Sequence, residues 1–333
     1  LTQTCLLCLP FFALVGIGWA ATRRGWLPLD GIATLNTFVL FFGLPAMLFR
    51  FAAGGALQQP GLSGLLLVYG VAGAAVASLA LWWAVRLGLS HRDGGLLALA
   101  TAFPNTGFLG LPLLMGLLGA SAAGPVAATL IVDVLLLSSV CLMWAHRPQV
   151  GGRGEGWAGV WRVVQGALRN PLLWSLALGM AWAASGWALP RPVDDTVRLL
   201  AQAASPAALF TLGAMLARSQ MRPQWQVTRT GRAGLEGRGG MVPLVALKLL
   251  VHPALVWLVG LLLRESGVPV SAQGLIALTL AAALPSASNV SMLAEREGAD
   301  TSRVARLILW TTLLAWLSLS AWAGALGVEG PSS

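Results

Sequence analysis

The sequence predicts an all-α polytopic membrane protein with ten transmembrane helices in a 5+5 inverted repeat, with broken crossing helices at spans 4 and 9. Three observations carry this. Of 333 residues, 57% are hydrophobic and 10% charged, with mean hydropathy +0.77. That charged fraction is about half the usual soluble value. At about 20 apolar residues per crossing, the hydrophobic content fills nine or ten spans. The basic residues fall in short loops between apolar runs, and prolines recur at a fixed offset in the two halves. A soluble globular chain, a disordered chain and a soluble domain on one anchor are excluded, because apolar runs cover the whole sequence.

The expected spans are 4–21, 33–52, 62–87, 94–118, 123–145, 170–188, 196–218, 241–263, 270–295 and 304–326. Length and apolarity assign them; periodicity is uninformative in helices that are apolar all round. Strands are excluded, since an open sheet edge goes unsatisfied in lipid and the alternation of a barrel is absent. Arg23 and Arg24 follow the first run rather than precede it. A signal peptide has the opposite polarity, so this run reads as a mature span. The chain begins with Leu1, so the true start is expected to be missing or non-standard. Cys5, Cys8 and Cys141 lie in apolar runs and read as small hydrophobes, giving no disulfide framework and no metal site.

Sixteen arginines sit in the first, third, fifth, seventh and ninth loops, among them Arg23, Arg86, Arg147, Arg218 and Arg296. Four, Arg50, Arg191, Arg198 and Arg264, sit on the opposite side, and Lys248 lies within span eight. The bias places the odd loops in the cytoplasm and both termini outside a bacterial inner (plasma) membrane. The net charge of +9 is therefore a topology signal rather than a nucleic-acid surface. Trp26, Trp82, Trp144, Trp187 and Trp322 fall near span ends, as interfacial tryptophans do. In loop 146–169, Trp157, Val160, Trp161, Val164 and Leu168 share one helical face. This reads equally as a surface helix or as a basic linker. Loop 219–240 is rich in Gly and Arg and reads as flexible.

Pro10 and Pro171 are 161 residues apart, as are Pro45 and Pro206 and also Gly18 and Gly179. Later the offset becomes 181, with Phe103-Pro104 matching Leu284-Pro285; the extra 20 residues fall in loop 219–240. The halves divide as 1–145 and 170–333 around a connector at 146–169. Five spans is an odd number, so the second half enters from the other side, as in secondary transporters.

Spans four and nine carry polar interruptions: Pro104-Asn105-Thr106-Gly107 in one and Pro285-Ser286-Ala287-Ser288-Asn289 in the other. Proline removes a backbone donor, and Asn, Ser and Thr cap a restarting helix. Such breaks are tolerated only where the backbone is protein-buried or lines a cavity. Two restarting helices would point positive ends and free N–H groups at one place, which suits a carboxylate. The carbonyls ending the preceding half-helices suit a cation instead. Pro104, Asn105, Thr106, Gly107, Pro285, Ser286, Ser288 and Asn289 are thus the candidate substrate residues.

The run Phe103 to Pro112 resembles the first crossover motif of the auxin efflux carrier family, whose bacterial members include malonate-transporter-like proteins. Leu284 to Arg296 resembles its second crossover, with more hydroxyls at Ser286, Ser288 and Ser291. Gly25-Trp26-Leu27-Pro28, Leu44 to Arg50 and Lys248 to Pro253 are also similar. The resemblance covers essentially the whole chain. It implies ten helices, transport spans 3–5 and 8–10 on scaffold spans 1, 2, 6 and 7, often a homodimer, and movement of organic anions.

Asp133 in span five is expensive in lipid and reads either as the coupling residue for H+ or Na+ or as a neutral, hydrogen-bonded side chain. Lys248 and His252, four apart on span eight, share a face. They attract an anion, or Lys248 snorkels outward. Gln202 reads as interhelical glue, and His91 and His146 as solvated loop residues. Gly16-Ile17-Gly18 lies inside a span with no preceding strand, so it is not a dinucleotide loop. No Gly-Lys-Ser or Gly-Lys-Thr loop provides an ATP-driven engine. The expected function is a secondary transporter of a small organic anion. A sodium-coupled bile-acid-type carrier is the alternative, and an intramembrane enzyme or sensor is the different class. No cofactor beyond a coupling ion is expected.

Overall fold

A computed structural model describes residues 2–55, 61–146, 165, 171–221 and 238–328. The loop at 146–169, expected as a surface helix or a basic linker, and the flexible loop expected at 219–240 lie mostly outside these. Among the described residues the chain is helical, with no strand longer than an isolated bridge. The first half comprises α1 (Thr2–Arg23), α2 (Leu29–Ala53), α3 (Leu62–Arg86), α4 (His91–Ala102), α5 (Thr106–Leu118) and α6 (Ala123–Ala145). The second comprises α7 (Pro171–Ser185), α8 (Arg191–Met221), α9 (Gly240–Glu265), α10 (Ala272–Ala282), α11 (Asn289–Arg296) and α12 (Thr301–Ala325). Six of these, α2, α3, α6, α8, α9 and α12, are long and apolar enough to cross a membrane. The chain is a multi-pass membrane protein.

Several helices begin earlier than expected, two of them by four residues or more. The α2 helix starts at Leu29 rather than 33, and α8 at Arg191 rather than 196. Their first turns hold Asp30 and Asp194, which an apolarity criterion trims although acidic residues favour a helix N-terminus. Ser90 and Ser271 start α4 and α10 by accepting from the N–H groups of Asp93 and Gly274, each at 3.0 Å. Such a cap satisfies one of the orphan donors of the first turn.

The helices α1, α2, α7 and α8 pack chiefly on one another, and α3–α6 pack chiefly with α9–α12. Within the first group the contacts are close. A methyl group added at Gly18 on α1 would collide with the carbonyl of Phe210 on α8; one added at Gly179 on α7 would collide with the carbonyl of Phe49 on α2. Small residues allow such backbone approach where lipid offers no hydrophobic drive for helix association. In the second group α4 and α10 are buried almost all round from Gly94 to Ala102 and from Gly274 to Ala282. The outer faces carry exposed Phe41, Phe42, Trp310, Leu313 and Leu317. In a bilayer these are lipid contacts rather than an aggregation hazard.

Candidate functional site

The two interruptions meet. Helix α4 ends at Ala102 and α5 starts at Thr106; α10 ends at Ala282 and α11 starts at Asn289. The extended residues between them cross as a short antiparallel bridge that pairs Pro104 with Ser286. The Asn105 N–H donates to the Pro285 carbonyl at 2.7 Å, and the Ala287 N–H to the Phe103 carbonyl at 3.0 Å. The pairing is one residue removed from the sequence match of Pro104 with Pro285. Neither proline can donate, so the donors flanking them set the register. The Ser286 N–H donates to Thr311 Oγ1 on α12 at 3.1 Å. The Asn105 carbonyl accepts from Leu109 and Gly110, closing the first turn of α5. The N–H groups of Gly107, Phe108, Ser288 and Asn289 take no part in these bonds.

Six of the eight candidate substrate residues come together here: Pro104, Asn105, Thr106, Pro285, Ser286 and Ser288, all buried. Asn105 Nδ2, Thr106 Oγ1, Ser286 Oγ and Ser288 Oγ are buried without any hydrogen-bond partner. Buried polar groups are normally paired, and four orphans at one crossing call for an explanation. Gly107 is half-buried, and a Cβ there would find nothing nearer than Leu44 and Leu172 side chains at 3.9 and 4.0 Å. The tight position is Gly110, where a Cβ would collide with Leu284. Asn289 does not join the group: it opens α11 with its side chain exposed, because the helical turn carries it away from Ser286 and Ser288.

A second polar centre lies beside the first. Asp133, Lys248 and His252 are all fully buried, so Lys248 does not snorkel. The Tyr69 hydroxyl on α3 donates to Asp133 Oδ1 at 3.0 Å. Lys248 Nζ donates to the Ala282 carbonyl at 3.1 Å and stands 3.2 Å from His252 Nδ1. The Tyr69 and His252 rings lie 5.7 Å apart. Both Asp133 and Lys248 sit in π-helical turns, Val132–Leu137 and Leu247–Val251, a distortion that re-aims side chains and recurs at functional sites. The Ala282 carbonyl ends α10, so Lys248 Nζ already occupies a place where a half-helix end would favour a cation. Asp133 Oδ2 and His252 Nε2 have no hydrogen-bond partner.

Tyr69 and Thr311 escape a reading of the sequence. Tyr69 carries one signal, being the sole tyrosine of the chain and inside a span; Thr311 carries none. Gln202 is exposed rather than buried between helices. His91 and His146 are engaged rather than merely solvated: His91 lies edge-on to Trp144, and His146 contacts Glu297.

Among the described residues, two broken helices meet at buried, unpartnered polar side chains, a build that suits a transporter. The profile of a family described as membrane transport protein matches residues 6–152 and 160–323. The chain belongs to this family, the auxin efflux carrier family. It is 29% identical over 313 residues to a Rhizobium meliloti (strain 1021) protein named "Putative malonate transporter", covering 93% of this chain and 91% of the relative. It is 27% identical over 319 residues to an uncharacterized transporter of Methanothermobacter thermautotrophicus, covering 95% and 96%. It is 23% identical over 291 residues to the uncharacterized transporter YfdV of Escherichia coli K12, covering 86% of each.

Proposed function

We propose that this transporter is a secondary carrier that moves a small organic anion, a carboxylate, across the bacterial inner membrane by alternating access. The observation that carries the reading is the set of four buried, unpartnered polar atoms on Asn105, Thr106, Ser286 and Ser288. Amide and hydroxyl donors beside the starts of α5 and α11 fit a carboxylate, which accepts from several donors at once. The relative named for malonate fits the same class.

In this reading the helices form ten spans in a 5+5 inverted repeat, with α4–α5 and α10–α11 as the broken members. Two reciprocities support it. Gly18 meets Phe210 while Gly179 meets Phe49, and both Gly18/Gly179 and Phe49/Phe210 are 161 residues apart. The capping serines of α4 and α10, Ser90 and Ser271, are 181 apart. The α1, α2, α7 and α8 group acts as scaffold and the remainder as the moving unit, with the chain expected as a homodimer. Asp133 carries or governs the coupling ion, H+ or Na+, since its Oδ2 is buried and free to take one.

Counterflow in proteoliposomes tests the function. A carboxylate panel is offered with and without sodium and a pH gradient. Exchange of unlabelled against labelled carboxylate, with the substrate recovered unchanged, is the expected result. Absence of exchange for every carboxylate, with uptake of neutral or cationic solutes instead, overturns it.

A further inference from the structure

The ends of α4, α6 and α11 meet at the face that carries the arginine-rich loops, away from both polar centres. His146 caps the C-terminus of α6, and Glu297 follows α11 directly. His146 Nδ1 lies 2.7 Å from the Leu142 carbonyl, and Nε2 lies 2.9 Å from Glu297 Oε2. A backbone carbonyl can only accept, so Nδ1 must carry a proton. A neutral ring would then point the lone pair of Nε2 at a carboxylate, two acceptors face to face. The contact needs one more proton, and imidazole, ordinarily more basic than a carboxylate, takes it on Nε2. Both side chains are partly open to solvent, at 27% and 19% exposure, so that proton exchanges with the aqueous phase.

On α4, His91 lies edge-on to Trp144, Arg92 reaches over Gly298, and Asp93 accepts from the Asp300 N–H at 2.8 Å. On the α12 side, Arg303 pairs with Asp300 at 2.9 Å. Among the described residues, Glu297 is the one hydrogen-bonding or ion-pair partner of His146 Nε2.

We propose that His146 and Glu297 form a proton-operated latch, closed while the pair shares one added proton and open once it is lost. The latch holds the outer end of α11, an eight-residue helix whose inner end is the Ser286–Ser288 crossing. Opening leaves the Asp93–Asp300 bond as a pivot, so α11 loosens without leaving its place. The inference goes beyond the transport reading and does not depend on it.

The test uses the purified full chain labelled with 15N-histidine. Three histidines are present, and a His91→Gln variant assigns the surface pair. Ring-nitrogen signals and hydrogen exchange of the α11 amides, corrected for intrinsic exchange, are followed from about pH 5 to 8, where histidine changes charge. Below the transition both His146 nitrogens carry protons. As pH rises the signals convert, and α11 protection falls about tenfold over the same range. Glu297→Gln and His146→Gln supply an amide N–H in place of the added proton, so protection stays high at every pH. His146→Ala leaves it low at every pH. A pH step that persists in Glu297→Gln or His146→Ala overturns the latch. Should those variants not fold, the parent decides alone: a His146 ring with one proton throughout the range also overturns it.

Discussion

Asn105→Ala removes a buried amide whose Nδ2 finds no partner in the free protein. If that nitrogen waits for a substrate carboxylate, the substitution deletes a hydrogen bond to a charged group, worth about 1.5–3 kcal/mol. Affinity then falls about ten- to a hundredfold. The same change should cost the empty protein little, because no side-chain bond present without ligand is lost, and the bridge to Pro285 uses the Asn105 main chain. Ser286→Ala follows the same logic, since its main-chain N–H keeps the bond to Thr311. The assay pairs Kd by equilibrium binding on purified protein with Tm of the ligand-free variants. The expected signature is weakened binding with nearly unchanged Tm, and a smaller ligand-induced rise in Tm. Parent affinity in both variants, for a carboxylate that the parent binds, would refute the placement. A large fall in ligand-free Tm would show that the side chains serve the fold instead.

Asp133→Asn should abolish gradient-driven uptake while exchange without a gradient is reduced far less; normal accumulation under the gradient refutes a coupling role. Gly107→Ala should leave stability unchanged, because its Cβ meets only ordinary contacts, whereas Gly110→Ala should cost about 1–3 kcal/mol by overpacking against Leu284; thermal unfolding of the two variants decides. Gly107→Val should fold yet transport poorly, since the branched side chain fills the space facing Leu44 and Leu172. A cysteine at position 230 should resist an impermeant reagent applied to intact cells, and labelling from outside would reverse the assigned topology.

The breaks were legible in the sequence because their cause is local. Pro104 and Pro285 cannot donate, and the Asn, Thr and Ser beside them interrupt the apolar run; Asn105 closes the first turn of α5 with its main-chain carbonyl, and its side chain makes no cap. Their register was not, since aligning prolines pairs Pro104 with Pro285, whereas the hydrogen bonds answer to the donors Asn105 and Ala287. Helix phase was equally hidden: Ser288 and Asn289 are neighbours in the chain, yet one is buried and the other exposed. Asp133 stood out as a carboxyl in an apolar run, but its bond to Tyr69 spans 64 residues and follows only from the packing of α3 on α6. His146 misled for the same reason, because its partner Glu297 comes from the other half of the chain.

The two polar centres are coupled by a short piece of backbone. A buried amino group in a membrane interior is costly unless it is hydrogen-bonded, and Lys248 donates to the carbonyl of Ala282. That carbonyl is among the last four of α10, which have no donor within their own helix. Three residues later the Pro285 carbonyl accepts the N–H of Asn105. In the proposed transport reading, a change at Lys248 therefore changes the hold on the end of α10. It would reach the crossing through Ala283, Leu284 and Pro285, a three-residue link whose proline leaves little freedom to absorb the shift. A coupling ion at Asp133 and a carboxylate at the crossing would not need to touch in order to sense one another. In that reading, the segment that Lys248 holds through Ala282 carries Ser286 at the crossing.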